Sequence, residues 1–460
     1  MTASLAIIVA VLLGALLLAF TAWLRPALAL ALWVASSVML SAYVLSANTP
    51  HAVHLTQLLL VGLLVGIGIS WHKPTGPSVN PGRPELPMLG WVGWAIVSGY
   101  LGGALSAAYG YRNINIIATG FVIPVLLLFL ARSTNQSLST VRLACVVFNV
   151  LLVYLIVTAF CEHLGIKWLV FPQYILDPTV GIHPDRARGP VVNAAENGGI
   201  LAVLLIVALH RAHYALRPAE RWLATLGVFL AGLPALWFTG TRGPWLAFAA
   251  GLLIMIFHDP RRAVLSALLG ILIIALPLVA LMRSEVVPDR AETTEFRLNL
   301  YRESLDAFKE HPIIGWGLGT FTNEDSFFDD PGAPTALSSG VQHDTMVAIA
   351  TETGTVGVLL YAGFLIGLFR SLWRLRKSAR NREKRDFYAT CMAALATFLI
   401  NGTFADCRFW MAQNALVLFI VGLGLGLQPG EQFVRLASQT PRLIRYFGYW
   451  PGHAARETIK

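Results

Sequence analysis

The sequence predicts an all-α polytopic membrane protein, and three observations carry this prediction. Hydrophobic residues make up 56% of the 460-residue chain and charged residues only 13%, whereas a soluble domain carries about 25% charged residues. The mean hydropathy is +0.64. The apolar residues are also grouped in long runs, and about 20 such residues are needed to span a bilayer as a helix.

Thirteen apolar runs are candidate transmembrane helices, and the number falls to twelve if one run is re-entrant. The runs lie near residues 3–23, 27–46, 55–71, 88–107, 113–131, 142–162, 191–210, 222–239, 243–258, 263–282, 346–369, 387–406 and 409–428. The first follows MTASL, which has no Lys or Arg, and a second run comes almost at once. We therefore expect a retained helix there and not a signal peptide.

The distribution of Lys and Arg predicts the orientation. Residues 370–385 contain eight Lys or Arg among sixteen positions, so this loop is expected to be cytoplasmic. Counting outward places the C-terminus in the cytoplasm and the N-terminus outside. The net charge of +9 does not indicate a nucleic acid partner, because the positive charges lie in short loops between apolar runs.

The resulting topology divides the chain into three regions. Residues 1–162 are expected to form an N-terminal transmembrane bundle. Residues 163–369 are expected to form the membrane region that carries the functional site, with long outer loops at 163–190 and 283–345. Residues 370–460 comprise the basic cytoplasmic loop, the last transmembrane helices and a cytoplasmic tail. Loops on a rigid scaffold often carry function, so the site is expected on the outer face.

Residues 293–311, in the second long loop, are predicted to form an amphipathic helix. Leu298, Tyr301, Leu305 and Phe308 recur at spacings of 3 and 4 and therefore share one face. Such a helix is expected to lie on the outer membrane surface or over a cavity.

Several arginines lie on the predicted outer side, against the positive-inside bias. Arg186 and Arg188 stand in HPDRARGPVVNAAENGG, and Arg242 in the short link FTGTRGPWL. A guanidinium at the bilayer edge is costly without a partner. Snorkelling to the headgroups, or pairing with Asp185 or Glu196, is one interpretation. Several arginines beside glycine turns also suit a multiply charged anion such as phosphate.

Residues 338–354, SSGVQHDTMVAIATETG, place His343 and Asp344 at the mouth of a membrane helix and Glu352 inside it. Asp344 is expected to be the N-cap. A His near a helix N-terminus tends to stay neutral, but Asp344 acts in the opposite direction, so no net pKa shift is predicted. A packed or solvated side chain is the plainer alternative for His343.

Small residues recur along the same helix. Val347, Ala350, Gly354 and Gly357 follow one another at spacings of 3, 4 and 3 and share one face of a continuous helix. Close helix packing is the expected use of this face, ahead of ligand binding.

Four motifs, in chain order over residues 180–360, resemble those of the O-antigen ligase/polymerase family. They are Arg186-Ala187-Arg188-Gly189 with Asn193 and Gly198; Thr239-Gly240-Thr241-Arg242-Gly243; EHPIIGWGLGTF from Glu310 to Phe321; and Gln342-His343-Asp344 with Glu352, Thr353, Gly354 and Gly357. Two positions depart from the family pattern: Asp344 replaces the usual Asn, and Thr241 the usual Ser. A hydrogen-bond donor role is therefore not carried over to Asp344.

The resemblance implies a GT-C-like glycosyltransferase in the bacterial inner membrane, with its active site facing the periplasm. The implied donor is a glycan on undecaprenyl pyrophosphate, and no metal or other cofactor is implied. Arg186 and Arg242 match the family's pyrophosphate-binding arginines, with Arg188 close enough to assist. His343 matches its general base. Candidates for supporting roles are Asp344, Glu352 (as an arginine partner), Asn193 and Arg297.

The acceptor stays open at this stage. Lipid A–core, in a ligase, is the leading expectation; a lipid-linked glycan, in a polymerase, and a protein are the alternatives. Direct displacement would invert the anomeric carbon. A transporter or flippase for an anionic lipid is a rival of another class. Transporters, however, tend to place charged sites near the midplane between internal repeats, whereas this chain shows no repeat and clusters its charges at the outer rim. Membrane lipids are the remaining expected partner.

Overall fold

The computed structural model describes residues 2–41, 55–70, 85–102, 117–134, 137–215, 218–258, 270, 289–320 and 343–427. Within these ranges every regular element is helical, so the prediction of an all-α polytopic membrane protein is confirmed.

The α-helices are numbered here in chain order. They are α1 (Thr2–Leu24), α2 (Pro26–Met39), α3 (Leu55–Ser70), α4 (Glu85–Leu101), α5 (Ile123–Ser133), α6 (Leu138–His163), α7 (Ala194–Ala215), α8 (Pro218–Gly227), α9 (Leu233–Phe238), α10 (Arg242–His258), α11 (Asp289–Glu310), α12 (Thr345–Ser378), α13 (Arg382–Asn401) and α14 (Met411–Gly426). Short π segments, Ala118–Val122 and Val228–Gly232, precede α5 and α9. Each predicted apolar run overlaps a helix except the run near 263–282, which lies outside the described residues apart from residue 270.

Three helices are long and apolar enough to cross a membrane, namely Leu138–His163, Ala194–Tyr214 and Thr345–Ser378. Eight shorter apolar helices accompany them in the described part of the chain. Of the three long helices α7 is the most buried, and it packs against α6, α10 and α13. The core of the bundle therefore forms around α7.

Small residues allow the helices to approach closely, as is common between helices in membranes. A Cβ added at Gly66 of α3 would lie 2.2 Å from the carbonyl oxygen of Ala19 in α1. A Cβ at Gly251 of α10 would lie 2.3 Å from Oγ1 of Thr397 in α13. These contacts leave no room for a larger residue without a shift of the backbone or the neighbouring side chain.

The predicted amphipathic helix is α11, which covers Asp289–Glu310 and packs against α12. Its face toward the protein consists of the buried residues Leu300, Ser304 and Ala307. The exposed apolar residues are Leu298, Tyr301 and Leu305. The apolar face that the spacing predicts is therefore the one turned away from the rest of the chain.

The helix α12 begins as predicted but does not run straight through. Asp344 is its N-cap, as expected, and accepts from the backbone N–H groups of Met346 (2.8 Å) and Val347 (3.0 Å). Gly354 has φ 65° and ψ −170°, which interrupts the helix. The expectation of one continuous face through Gly354 and Gly357 is therefore wrong.

Candidate functional site

The first two arginine motifs lie side by side. The backbone N–H of Ala187 donates to the carbonyl of Phe238 at 2.9 Å, which fastens the 186–189 segment to the turn after α9. The side chain of Arg186 then passes over Gly240, where a Cβ would lie only 3.1 Å from Arg186 Cδ. Gly240 also has φ 60°, a conformation that favours glycine. This turn thus leaves space for the Arg186 side chain.

Arg242 begins α10 immediately after this turn, and its side chain is exposed. The turn is held by the buried Thr239, whose hydroxyl contacts Thr241 Oγ1 at 2.8 Å and donates to the Leu236 carbonyl at 2.7 Å. The N-terminal turn of a helix attracts anions through its free N–H groups and its dipole. Arg242 and the start of α10 therefore both favour a negatively charged ligand.

Arg186 is half-buried, and its Nε lies 3.7 Å from Asp185 Oδ2. Asp185 is well exposed to solvent, and ion pairs of this kind contribute little. The pairing with Asp185 therefore leaves the Arg186 guanidinium able to bind an anion.

Arg188 is used differently from its neighbour. Its side chain is buried, and its guanidinium donates to the backbone carbonyls of Ile175 (2.7 and 2.9 Å), Asp177 (2.5 Å) and Val180 (2.6 Å). The structure gives Arg188 this scaffolding position in place of the pyrophosphate contact expected from the sequence. The physical reason is that these three carbonyls need donors once the loop folds over them.

Asn193 is likewise structural, because it caps α7. Its Oδ1 accepts from the backbone N–H groups of Ala195 (3.0 Å) and Glu196 (3.3 Å). The side chain of Asn197, one turn into α7, donates to the Ala187 carbonyl at 3.1 Å. The start of α7 and the arginine segment are thus fixed to each other.

His343 lies half-buried just before α12, outside the helical span. Burial lowers its pKa, and the positive charge of Arg297 and the nearby His183 lower it further, while Asp406 opposes them. The pKa of His183 is lowered by burial and by Arg186, against Asp185. The charges of the first motif, of α11 and of His343 therefore act on one another in one region.

Arg408, Glu352 and Asp406 form a buried ionic triad near the start of α12. Arg408 Nη1 lies 2.5 Å from Glu352 Oε2, and Arg408 Nη2 lies 2.7 Å from Asp406 Oδ2. The side chains of Arg408, Glu352 and Asp406 are 0%, 0% and 3% exposed. Glu352 thus has the arginine partner that was expected of it, and that partner is Arg408.

The segment 311–320 fills the break in α12. The N–H of Trp316 donates to the Thr351 carbonyl (3.1 Å), and the N–H of Gly317 donates to the Glu352 carbonyl (2.8 Å). The N–H of Gly319 donates to the Glu352 carboxylate at 2.9 Å. These bonds lock the third motif onto the fourth.

Helix α4 contributes side-chain donors at the break. The Ser98 hydroxyl is within hydrogen-bond distance of the carbonyls of Ile314 (2.8 Å) and Glu352 (3.0 Å), and Trp94 Nε1 donates to the Thr353 carbonyl at 2.8 Å. Non-helical backbone at membrane depth is tolerated only when its polar groups find such partners. The break is therefore part of the fold and not a defect in it.

The turn at 402–407 connects the two halves of the site. Thr345 at the start of α12 donates its N–H to the Gly402 carbonyl (2.8 Å), and its hydroxyl accepts from the Cys407 N–H (2.9 Å). A Cβ added at Gly243, next to Arg242, would lie 2.7 Å from Phe404 Cβ. The starts of α10 and α12 thus rest on the same turn, and the end of the bundle where they meet is called the site end below.

Residues 226–362 match a family model described as O-antigen ligase. This segment is similar to that family and contains the second, third and fourth motifs, so the resemblance is confirmed over these residues. No curated protein matches the chain.

The O-antigen ligase match covers part of the site and leaves part outside. Arg242, His343 and Glu352 fall within residues 226–362. Arg186 lies before the matched segment and Arg408 after it, yet the structure brings both against it. The site is therefore completed by chain segments on either side of the matched residues.

Three residues at the site were not assigned these roles from the sequence. They are His183, Asp406 and Arg408. His183 has a positive φ of 54°, which is uncommon outside glycine. This conformation could not be predicted from the sequence. In the described residues no group of three or more His, Cys, Asp and Glu is placed to hold a metal ion.

Replacement of Gly354 by Ala is expected to destabilise the protein. The backbone conformation at Gly354 is essentially restricted to glycine and costs other residues about 1–3 kcal/mol. A Cβ there would also lie 2.2 Å from the Ile313 carbonyl oxygen. Thermal unfolding of the purified protein in detergent should show a lower midpoint for Gly354→Ala.

Gly363→Ala, on the same helix, is the matched control. A Cβ at Gly363 would meet only Pro87 Cβ at an ordinary 3.7 Å, so its midpoint should stay at or above the wild-type value. Equal midpoints for the two variants would show that the break at Gly354 is not required.

Proposed function

We propose that the protein is a glycosyltransferase that moves a glycan from undecaprenyl pyrophosphate to a sugar hydroxyl of lipid A–core, without a metal. The observation that carries the proposal is the placement of two arginine turns beside a histidine of lowered pKa at one end of a membrane bundle. The O-antigen ligase match supports this type of activity.

The arginines suit the leaving group. Arg186 and Arg242 lie on adjoining segments, because Arg186 crosses the turn that leads directly into Arg242. Two guanidiniums bind phosphate oxygens through charge-assisted hydrogen bonds. They stabilise the negative charge that grows on the pyrophosphate as its bond to the anomeric carbon breaks.

His343 suits the acceptor side of the reaction. A base must be unprotonated, and burial together with Arg297 lowers the pKa of His343, so the ring is neutral near pH 7. It takes the proton from the acceptor hydroxyl while the oxygen forms a bond to the anomeric carbon and the pyrophosphate leaves. Attack opposite the leaving group inverts that carbon.

The charge distribution supports a site on the periplasmic side, while the GT-C-like arrangement in the bacterial inner membrane is what the family resemblance implies. Helix α12 has 34 residues; His343 precedes one end, and Arg376 and Lys377 lie in the last turn at the other. Basic ends of membrane helices favour the cytoplasm. The site end then faces the periplasm, and the same count places the C-terminus in the cytoplasm.

Replacement of His343 by Ala is expected to lower the transfer rate by about two to four orders of magnitude, the usual contribution of a positioned general base. The assay contains purified protein, lipid-linked glycan, and either lipid A–core or a second lipid-linked glycan as acceptor. Wild-type protein should extend lipid A–core. His213→Ala, at the opposite end of α7, should keep wild-type transfer.

Two outcomes of this assay would contradict the proposal. Near-full transfer by His343→Ala would remove the histidine from the mechanism. Extension of the second lipid-linked glycan alone would mean that the protein is a polymerase and not a ligase.

Replacement of Arg297 by Gln is expected to move the acid limb of the pH–rate profile to higher pH. The positive charge of Arg297 lowers the pKa of His343, so His343 holds its proton to higher pH once that charge is gone. The fraction of neutral base at a given acidic pH then falls. The measurement is transfer rate against pH, from below to above the ordinary histidine pKa of about 6.5.

Arg302→Gln provides the control for this profile. Arg302 is exposed on the same helix and is not among the charges that act on His343. An unchanged acid limb in Arg297→Gln, with the rate lowered equally at all pH values, would argue that Arg297 does not tune the base.

A further inference from the structure

A cavity of about 410 Å³ lies beside Arg186. It is enclosed by the end of α6, by the loop that contains the 3₁₀ turns Lys167–Leu169 and Gln173–Leu176, and by residues 184–187. Pockets that bind small ligands have volumes of about 300–1,000 Å³. The cavity is therefore large enough for a ligand of sugar size.

The cavity wall offers both donors and acceptors of hydrogen bonds. Lys167 and Arg186 contribute positive charges, and Asp185 contributes a carboxylate. The Lys167 ammonium has no ion pair within the described residues, and its side chain is exposed. A mixture of this kind matches the hydroxyl groups of a sugar, each of which donates and accepts.

One charged group at the wall is already committed. The Glu162 carboxylate accepts from the N–H groups of Arg188 and Gly189, both at 3.0 Å. The His163 ring stacks on Phe238, with ring centroids 3.9 Å apart, which fixes the plane of the ring. Lys167, Asp185 and Arg186 are the other charged residues at the wall.

The wall is held in place before any ligand arrives. Arg188 donates hydrogen bonds to the carbonyls of Ile175, Asp177 and Val180. The Tyr154 hydroxyl donates to the Phe171 carbonyl at 2.5 Å. A preorganised wall lowers the entropy cost of binding. The buried position of Arg188 thus serves the shape of the cavity.

Arg186 connects the cavity with the arginine turn, because it lines the cavity and also crosses Gly240. In a polyprenyl-pyrophosphate glycan the first sugar is bonded directly to the pyrophosphate. If Arg186 and Arg242 hold that pyrophosphate, the first sugar lies within reach of the cavity. We propose that this cavity is the subsite for the first sugar of the donor, with Lys167 donating hydrogen bonds to it. This inference rests on the proposed function.

The test compares two probes on the full chain purified in detergent, N-acetylglucosamine 1-phosphate and inorganic phosphate. Wild-type protein should bind the sugar phosphate at least about tenfold more tightly, the worth of one charge-assisted hydrogen bond. Lys167→Met and Pro178→Trp should remove most of this difference and leave phosphate binding unchanged. Pro178 lines the cavity and is exposed, so a Trp there fills space without disturbing the core.

The same variants should raise the KM for the lipid-linked donor by a similar factor with little change in kcat. Lys309→Met, which removes an exposed lysine paired with Asp306, is the matched control and should behave as wild type.

Equal binding of the two probes by wild-type protein, or an unchanged preference in both cavity variants, would overturn the subsite. Loss of transfer in Arg186→Gln alongside unchanged cavity variants would overturn the subsite and leave the proposed function standing. Absence of transfer by wild-type protein would overturn the proposed function itself.

Discussion

The buried triad of Arg408, Glu352 and Asp406 is the interaction on which the site end depends. Two carboxylates and one guanidinium stand almost without solvent, where an unpaired charge costs several kcal/mol. Glu352 belongs to the interrupted helix α12, and its carboxylate also accepts from the Gly319 N–H of the segment 311–320. Arg408 bonds to both Glu352 and Asp406, so it connects α12 with the turn at 402–407. His343 directly precedes α12, and the charge of Asp406 acts on it.

The arginines of this chain divide by burial into two kinds. Arg188 and Arg408 are 1% exposed, and their donors are consumed by backbone carbonyls or carboxylates. Arg186 and Arg242 are half-buried and exposed, and they stand on glycine turns at the site end. Arg188 and Arg408 therefore stabilise the loops that position Arg186 and Arg242.

Local features of this molecule were predictable from sequence, and contacts between distant segments were not. The apolar runs, the Asp344 cap and the helix over 289–310 each depend on neighbouring residues alone. The break at Gly354 was missed because the 3-4-3 spacing of small residues fits an unbroken helix, while the groups that satisfy the break, Trp94 and Ser98, come from α4. Arg188 was expected to bind the ligand, because its hydrogen bonds to backbone carbonyls cannot be read from a sequence. The Glu352–Arg408 pair spans 56 positions, so the sequence suggested an arginine partner for Glu352 without identifying it.

The free energy of unfolding of Arg408→Gln, measured in detergent or bilayers, shows whether the triad holds the site end together. The variant leaves two buried carboxylates without their cation, so we expect a loss of about 3–5 kcal/mol. Lys309→Gln, which breaks the exposed pair with Asp306, should lose no more than about 1 kcal/mol. An Arg408→Gln protein as stable as the wild type would contradict the claim that the triad holds the site together.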